Sequence, residues 1–193
     1  WELDNLEEIG GHKVMVEGEP KVIDTPYGKA IEFDGVDDGL FFDVHPLSGM
    51  KTFTVEVIFQ PYANGLVEQR FFHMQEANTN NRVMFETRLT EDNLWYLDTF
   101  LRTNDTNNTM LAMGDKHEIG PWYHAAIVVD GKTFKHYVNG RMELGKEVEY
   151  IPQVPGQTSM GVRLNRVYWY KGAIRKARFT PRAMSPDEFL TAE

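Results

Sequence analysis

Charged, amide and aromatic side chains recur at alternate positions in four short segments of the sequence. The residues between them are apolar, as with Val83 and Phe85 or Val162 and Leu164. If the apolar residues face an interior, the alternation of a β-strand turns the polar ones to the opposite face. The side chains predicted to share that opposite face are His73, Gln75, Glu86, Arg88, Tyr96, Asp98, Arg163, Asn165 and Trp169, with Glu56 and Phe71 beside them.

This mixture of side chains suits a carbohydrate ligand. Aromatic rings stack on the apolar faces of sugars, whereas carboxylates, amides and guanidinium groups exchange hydrogen bonds with hydroxyls. A face selected only for solubility would be richer in Lys, Ser and Thr. The alternative is structural, since Glu86 with Arg88, or Asp98 with Arg163, would form ion pairs that fix the strand register. We expect His124 to be a core or cross-strand residue, like His136.

Glu86 and Asp98 are also the candidates for a catalytic pair. On neighbouring strands they could act as general acid and base of a glycoside hydrolase or polysaccharide lyase. Metal catalysis is not favoured, because the sequence has no His-x-x-x-His, and residues 104–108 offer one carboxylate without the glycine and glutamate of a calcium loop. No phosphate loop, nucleophile elbow or dinucleotide motif is present. A binding role without catalysis is therefore preferred.

Composition limits the classes of partner. The 193 residues carry 20 basic and 29 acidic side chains, a net charge of −9, so nucleic acid and anionic membranes would be repelled overall. There is no cysteine, and no apolar run is long enough to insert into a membrane. The chain begins at Trp1 rather than Met, so we expect an upstream segment and a secreted, periplasmic or cell-surface location.

Short strands separated by turn residues dominate the pattern. A hairpin is predicted at residues 124–138, with Asp130-Gly131 as its turn and a second reversal at Asn139-Gly140. The chain is thus expected to be one all-β domain, residues 1–193, with two antiparallel sheets in a sandwich and a helical turn after Ser185. Residues 104–108 are expected to be a loop. The predicted strands are Lys13–Glu17, Lys29–Phe33, Leu40–Val44, Phe53–Phe59, Arg70–Gln75, Arg82–Leu89, Leu94–Leu101, His124–Val129, Phe134–Val138, Glu147–Ile151, Ser159–Tyr168 and Gly172–Phe179.

Five segments together resemble the laminin-G-like, concanavalin A-like lectin and glucanase superfamily. They are Ala30–Asp38, Phe53–Pro61, Trp122–Gly131, Tyr137–Gly140 and Gly172–Phe189. The resemblance covers nearly the whole chain and implies a jelly roll in which the strands near Phe33 and Phe179 lie side by side, bringing the termini together. It also implies a third kind of function, a structural or protein-binding domain, because one such sandwich hosts lectins, glycanases and adhesion modules.

The sequence departs from that superfamily at two places. Its glycanases carry two Glu separated by an Asp on one strand, whereas residues 54–60 offer Glu56 alone. Members with a structural calcium often place an Asp where this chain has Arg175. A calcium ion, although possible, is therefore not favoured, and no other cofactor is implied. We expect Arg175 to take the place of the ion and to pair with Asp34, Asp37 or Asp38.

Overall fold

A computed structural model describes all 193 residues as two antiparallel sheets packed face to face. The strands, in chain order, are β1 (Glu8–Ile9), β2 (His12–Lys13), β3 (Met15–Glu17), β4 (Lys21–Thr25), β5 (Gly28–Asp34), β6 (Gly39–Phe42), β7 (Phe53–Pro61), β8 (Glu68–Glu76), β9 (Arg82–Leu89), β10 (Leu94–Thr103), β11 (Thr106–Leu111), β12 (His117–Glu118), β13 (Tyr123–Val129), β14 (Thr133–Val138), β15 (Arg141–Glu147), β16 (Gly156–Met160) and β17 (Lys171–Thr180). The predicted all-β sandwich is confirmed, with a single 3-10 turn at Pro186–Glu188 after Ser185.

The seven-stranded sheet contains the predicted hairpin. Its strand order is β15-β14-β13-β7-β17-β5-β4. β13 and β14 pair across the Asp130-Gly131 turn, and β17 lies between β5 and β7. The N-terminal amino group donates to the carbonyl of Ala177 on β17, and Arg175 donates to the carbonyl of Ala192, so both termini lie beside this strand.

The eight-stranded sheet carries most of the predicted site. Its order is β11-β10-β9-β8-β16-β6-β3, with β12 paired to the end of β10. Apolar residues of both sheets fill the space between them, where the rings of Phe59 and Phe71 stack with centroids 4.4 Å apart and Trp95 packs edge-on to Phe59. Burying rings of this size supplies a large part of the stabilisation of such a core.

Several segments differ from the predicted strands, and the short strands β1 and β12 were not predicted at all. Residues 104–108 are not all loop, because Asn104 and Asp105 take left-handed φ angles of 46° and 58° and form a tight turn that leads into β11. β4 follows Pro20 where no strand was predicted. The strand predicted at 147–151 lies earlier, at β15. The strand predicted at 159–168 ends at Met160, because Gly161, Arg166 and Tyr168 take positive φ angles that end the pairing.

A β-bulge at Phe71 interrupts the alternation of β8. Arg70 pairs with Glu86 and Phe72 with Phe85, so one residue of β8 has no partner on β9. Phe71 and Phe72 are both fully buried in the core. The prediction that Phe71 faces outward is therefore wrong, and the extra residue turns Arg70 outward instead.

Candidate functional site

The outer face of the eight-stranded sheet brings six predicted residues together. We call this surface the polar face. Pairing between β9 and β10 sets Glu86 opposite Asp98 and Arg88 opposite Tyr96. Their strand neighbours Phe85 and Leu97 are buried in the core, so the predicted alternation holds on these strands. The predicted residues on the polar face are His73, Gln75, Glu86, Arg88, Tyr96 and Asp98.

The acidic residues of the polar face form one network with two arginines. Two nitrogens of Arg88 donate to Asp98 Oδ2 at 2.7 and 2.9 Å, and Arg70 Nε donates to Glu86 Oε2 at 3.0 Å. Glu68 accepts from both arginines and links them. Asp98 therefore pairs with Arg88, whereas the structural alternative paired it with Arg163. Glu68 and Arg70 were missed at the sequence level, because the bulge reverses their alternation.

Burial changes the protonation of the two central carboxylates. Glu86 and Asp98 are only 3% and 1% exposed. Burial, followed by the charge of Glu86, raises the pKa of Asp98 to about 7, although Arg88 opposes the shift. Burial likewise raises the pKa of Glu86, and Arg70 opposes it. Two carboxylates opposite one another on adjacent strands repel, and the arginines reduce that repulsion.

His73 lies beneath the loop of residues 161–170. The backbone N–H of Leu164 donates to His73 Nδ1 at 3.3 Å, and the His73 side chain is fully buried. Burial, followed by the charges of Arg163 and Arg82, holds the pKa of His73 well below its usual value. The prediction that Leu164 faces the interior is wrong, since the residue belongs to this outer loop.

The same loop carries Arg163, Asn165 and Trp169, so strand alternation does not place them. Asn165 is exposed, whereas Arg163 and Trp169 are half-buried. The loop also places the ring of Tyr168 against Arg70, with the guanidinium carbon 4.5 Å from the ring centroid. Tyr168 was overlooked because it was assigned to a strand.

Glu56 belongs to a different site from the one predicted. It lies on β7 in the seven-stranded sheet, fully buried, where His124 donates to it at 3.0 Å and the N–H of Leu190 at 2.7 Å. Arg178 pairs with its other oxygen. Glu56 thus fixes the C-terminal segment to the sheet, and His124 is buried as expected.

The expected pairing of Arg175 with the aspartates is wrong. Lys171 lies opposite Asp34, whereas Arg175 occupies a register shift in β17 and donates to the carbonyls of Tyr27 and Ala192. The carboxylate oxygens of Asp34, Asp37 and Asp38 lie within 4.8 Å of one another.

Oxygen donors of this kind suit calcium, so Arg175 gives no reason against the ion. Both oxygens of Asp38 already accept backbone N–H groups, from Glu19 at 2.7 Å and Asp34 at 2.9 Å. These backbone hydrogen bonds therefore explain part of the clustering of the three aspartates without a metal ion.

A cleft of about 720 Å³ lies on the other side of the molecule. Its lining includes the aromatic residues Tyr27, Trp122 and Phe189, together with His124. None of the predicted ligand-binding residues lines it. A cleft of this size is a competing location for a ligand.

No helix of the protein is long and apolar enough to cross a membrane.

Comparisons with known proteins agree with the fold. Residues 34–189 match the family described as the concanavalin A-like lectin/glucanases superfamily. No curated protein matches the sequence. Among solved structures, a heptameric SAP-like pentraxin from Limulus polyphemus is 20% identical, covers 81% of this chain and 77% of its own, and has a TM-score of 0.64.

Two further similar structures were each solved in complex with a ligand. Domain 4 of AbnA, an extracellular arabinanase from Geobacillus stearothermophilus, was solved with arabinotriose; it is 19% identical, with coverage of 93% and 87% and a TM-score of 0.64. The binding domain of botulinum neurotoxin DC, solved with SialylT, is 12% identical, with coverage of 92% and 44% and a TM-score of 0.67. At these identities the likeness concerns the fold alone. The family match, which spans most of the chain, makes this protein a member of the concanavalin A-like lectin/glucanase superfamily.

Proposed function

We propose that the chain, as one domain spanning residues 1–193, is a non-catalytic carbohydrate-binding module that contacts glycans through the polar face. The observation that carries this proposal is the ring of Tyr168, which is 39% exposed and stacked on Arg70 beside the buried carboxylates. An exposed ring next to fixed guanidinium groups offers a sugar both an apolar stacking surface and hydrogen-bond donors. Tyr96 and Gln75 extend the same surface along the sheet.

The backbone of the loop supports a functional role for Tyr168. Arg166 and Tyr168 take φ angles of 59° and 65°, which non-glycine residues rarely adopt. Such conformations cost free energy and persist where the surrounding structure fixes them, often at binding sites. Arg166 is held by an ion pair with Glu17 and by the ring of Phe41, 4.1 Å from its guanidinium carbon.

The burial of Glu86 and Asp98 supports binding rather than catalysis. A general acid must reach the glycosidic oxygen, and a base must reach water or the sugar. In this protein Arg70 and Arg88 already occupy one oxygen of each carboxylate, and neither side chain is accessible to a ligand. The hydrolase or lyase alternative would require the arginines to move away.

The sugar-bound arabinanase domain supports a glycan ligand by analogy of fold. That arabinanase is extracellular, and the proposal likewise includes a secreted, periplasmic or cell-surface location. A protein ligand, as for a structural or adhesion domain, is the remaining alternative. This alternative predicts that the protein has no affinity for any glycan.

A glycan array followed by titration of each hit tests the proposal. We expect Tyr168→Ala to weaken binding at least tenfold, because the stacking surface is lost. The matched control is Tyr27→Ala, since Tyr27 is 40% exposed but lines the cleft on the other side. Loss of binding in the control alone would move the site to that cleft, and no binding by the wild type would contradict the proposal.

Catalysis is tested on any bound polysaccharide. We expect no new reducing ends and no unsaturated products after prolonged incubation with the wild-type protein. Product that disappears with Glu86→Gln would establish the enzyme alternative instead.

A further inference from the structure

Two arginines of the polar face have no acidic partner. Arg82 donates only to the carbonyl of Asn80, at 2.8 Å, and stacks on Phe100 with its guanidinium carbon 4.4 Å from the ring centroid. Arg163 makes no side-chain hydrogen bond and no ion pair. By contrast, the other arginines of this face all pair with carboxylates, namely Arg70, Arg88, Arg102 and Arg166.

Both unpaired guanidinium groups are partly removed from water. The Nε atoms of Arg82 and Arg163 are buried and lack a hydrogen-bond acceptor. Burial, followed by the charge of Arg163, lowers the pKa of Arg82 to about 10, and burial also lowers that of Arg163. Two neighbouring cations destabilise one another, the charge of Glu86 offsets this only in part, and a bound anion would reduce the remaining cost.

His73 has a buried donor that lies beneath the same place. Its Nδ1 accepts the N–H of Leu164, so the neutral ring carries its proton on Nε2. That Nε2 is buried and has no acceptor. His73 and Arg82 lie diagonally across β8 and β9, and Arg163 precedes Leu164, whose N–H contacts His73, so the three residues lie close together on the face. The unsatisfied nitrogens of these three side chains are all donors, which favours a ligand group that accepts hydrogen bonds.

We propose that the glycan bound by the polar face is acidic, and that its carboxylate or sulfate group binds between Arg82 and Arg163 next to His73. The inference rests on the proposed function and adds the chemical class of the ligand. Charge-assisted hydrogen bonds from guanidinium to carboxylate or sulfate are stronger than those to a hydroxyl. The net charge of −9 does not prevent this, since salt screens distant charges beyond about 8–10 Å.

The test uses polymers that differ only in charge. Polygalacturonate is compared with its fully methyl-esterified form, and dextran sulfate with dextran, so that the two arms distinguish a carboxylate from a sulfate. We expect at least one charged polymer to bind ten times more tightly than its uncharged counterpart in calorimetric titration. Binding should weaken as salt is raised.

Variants then locate the anion. Arg163→Gln and Arg82→Gln are each expected to weaken binding of the charged polymer about tenfold, with a melting temperature no lower than that of the wild type. The control Arg141→Gln removes an exposed arginine from β15, in the other sheet, and should leave binding unchanged.

Two outcomes separate this inference from the proposed function. Binding of uncharged glycans alone, unaffected by both variants, would overturn the acidic ligand while the carbohydrate-binding role stands. Absence of binding to every charged and uncharged glycan would overturn both.

Discussion

Thr99 and His136 join the two sheets through the interior of the sandwich. The hydroxyl Oγ1 of Thr99, on β10, lies 2.7 Å from Nδ1 of His136, on β14. Both side chains are fully buried, and the other ring nitrogen of His136 lies 3.9 Å from a carboxylate oxygen of Glu143, so this bond is a polar link in the interior. A buried polar group that finds its partner costs little, whereas one that loses it costs about 1–3 kcal/mol.

His136 should make the protein less stable in acid. Burial lowers its pKa to about 4, so below pH 6.5 the unfolded chain binds a proton that the folded protein does not. Stability therefore rises with pH between about 4 and 6.5, by up to about 3 kcal/mol from this residue. In urea unfolding at pH 5 and 7.5, His136→Gln should lose less stability on acidification than the wild type. The control His12→Gln changes a half-buried histidine of β2 that lies outside the core, and it should keep the wild-type difference.

The ion pairs around Arg88 should stabilise the fold more than a surface pair does. Arg88→Gln leaves the buried Asp98 without its cation, and we expect a loss of about 2–3 kcal/mol in the free energy of unfolding. Arg102→Gln breaks a pair whose partner Asp105 is 94% exposed, and should cost less than about 1 kcal/mol. Equal losses in chemical denaturation would contradict the network described above.

Asp98 should act on stability with the opposite sign to His136. Its raised pKa of about 7 means that the folded protein holds a proton between pH 4 and 7 when the unfolded chain has released it. Its contribution is complete below about pH 4 and is lost as the pH rises through 7. The stability of the wild type relative to Asp98→Asn should thus fall by on the order of 2 kcal/mol from pH 4 to pH 8. A difference independent of pH would show that Asp98 is ionised throughout.

Gly161 should not tolerate a side chain. Its φ is +80°, and a Cβ atom there would lie 2.3 Å from the Phe33 ring and 2.8 Å from the Asp38 carbonyl oxygen. We expect Gly161→Ala to destabilise by more than about 3 kcal/mol, or to displace the loop that holds Tyr168. Gly49→Ala has a similar φ of +76° and open space around it, so it should cost only about 1–2 kcal/mol. Thermal unfolding gives the destabilisation of each variant, and the difference between the two values is the cost of the steric clash at Gly161.

The alternation of residues predicted the strands on both sides of the sandwich because each has one face in the core. It placed Glu86, Arg88, Tyr96 and Asp98 on one surface for the same reason. Alternation could not show what lies above that surface. The ion pairs of Glu68 and the position of Tyr168 depend on loop and bulge geometry, which no local pattern in the sequence reveals.

The segment at 161–170, which was predicted as a strand in part, shows where prediction from alternation fails. Val162, Val167 and Trp169 have high strand propensity, so the sequence favours a strand there. The left-handed residues among them prevent pairing, and arginine and tyrosine give no local sign of that conformation. The Arg175 prediction failed for a different reason: antiparallel pairing with β5 sets Lys171 opposite Asp34, and Arg175 lies four residues farther along β17.

The extra residue at Phe71 changes which side chains of β8 face outward. Up to Arg70 one set of positions points outward, and beyond Phe72 the other set does. If β8 paired with β9 without this bulge while keeping all its residues, strict alternation would turn Glu68 and Arg70 toward the core. Glu86 would then lose its nearest cation, so the backbone geometry of this strand, and not only its side chains, determines the chemistry of the surface.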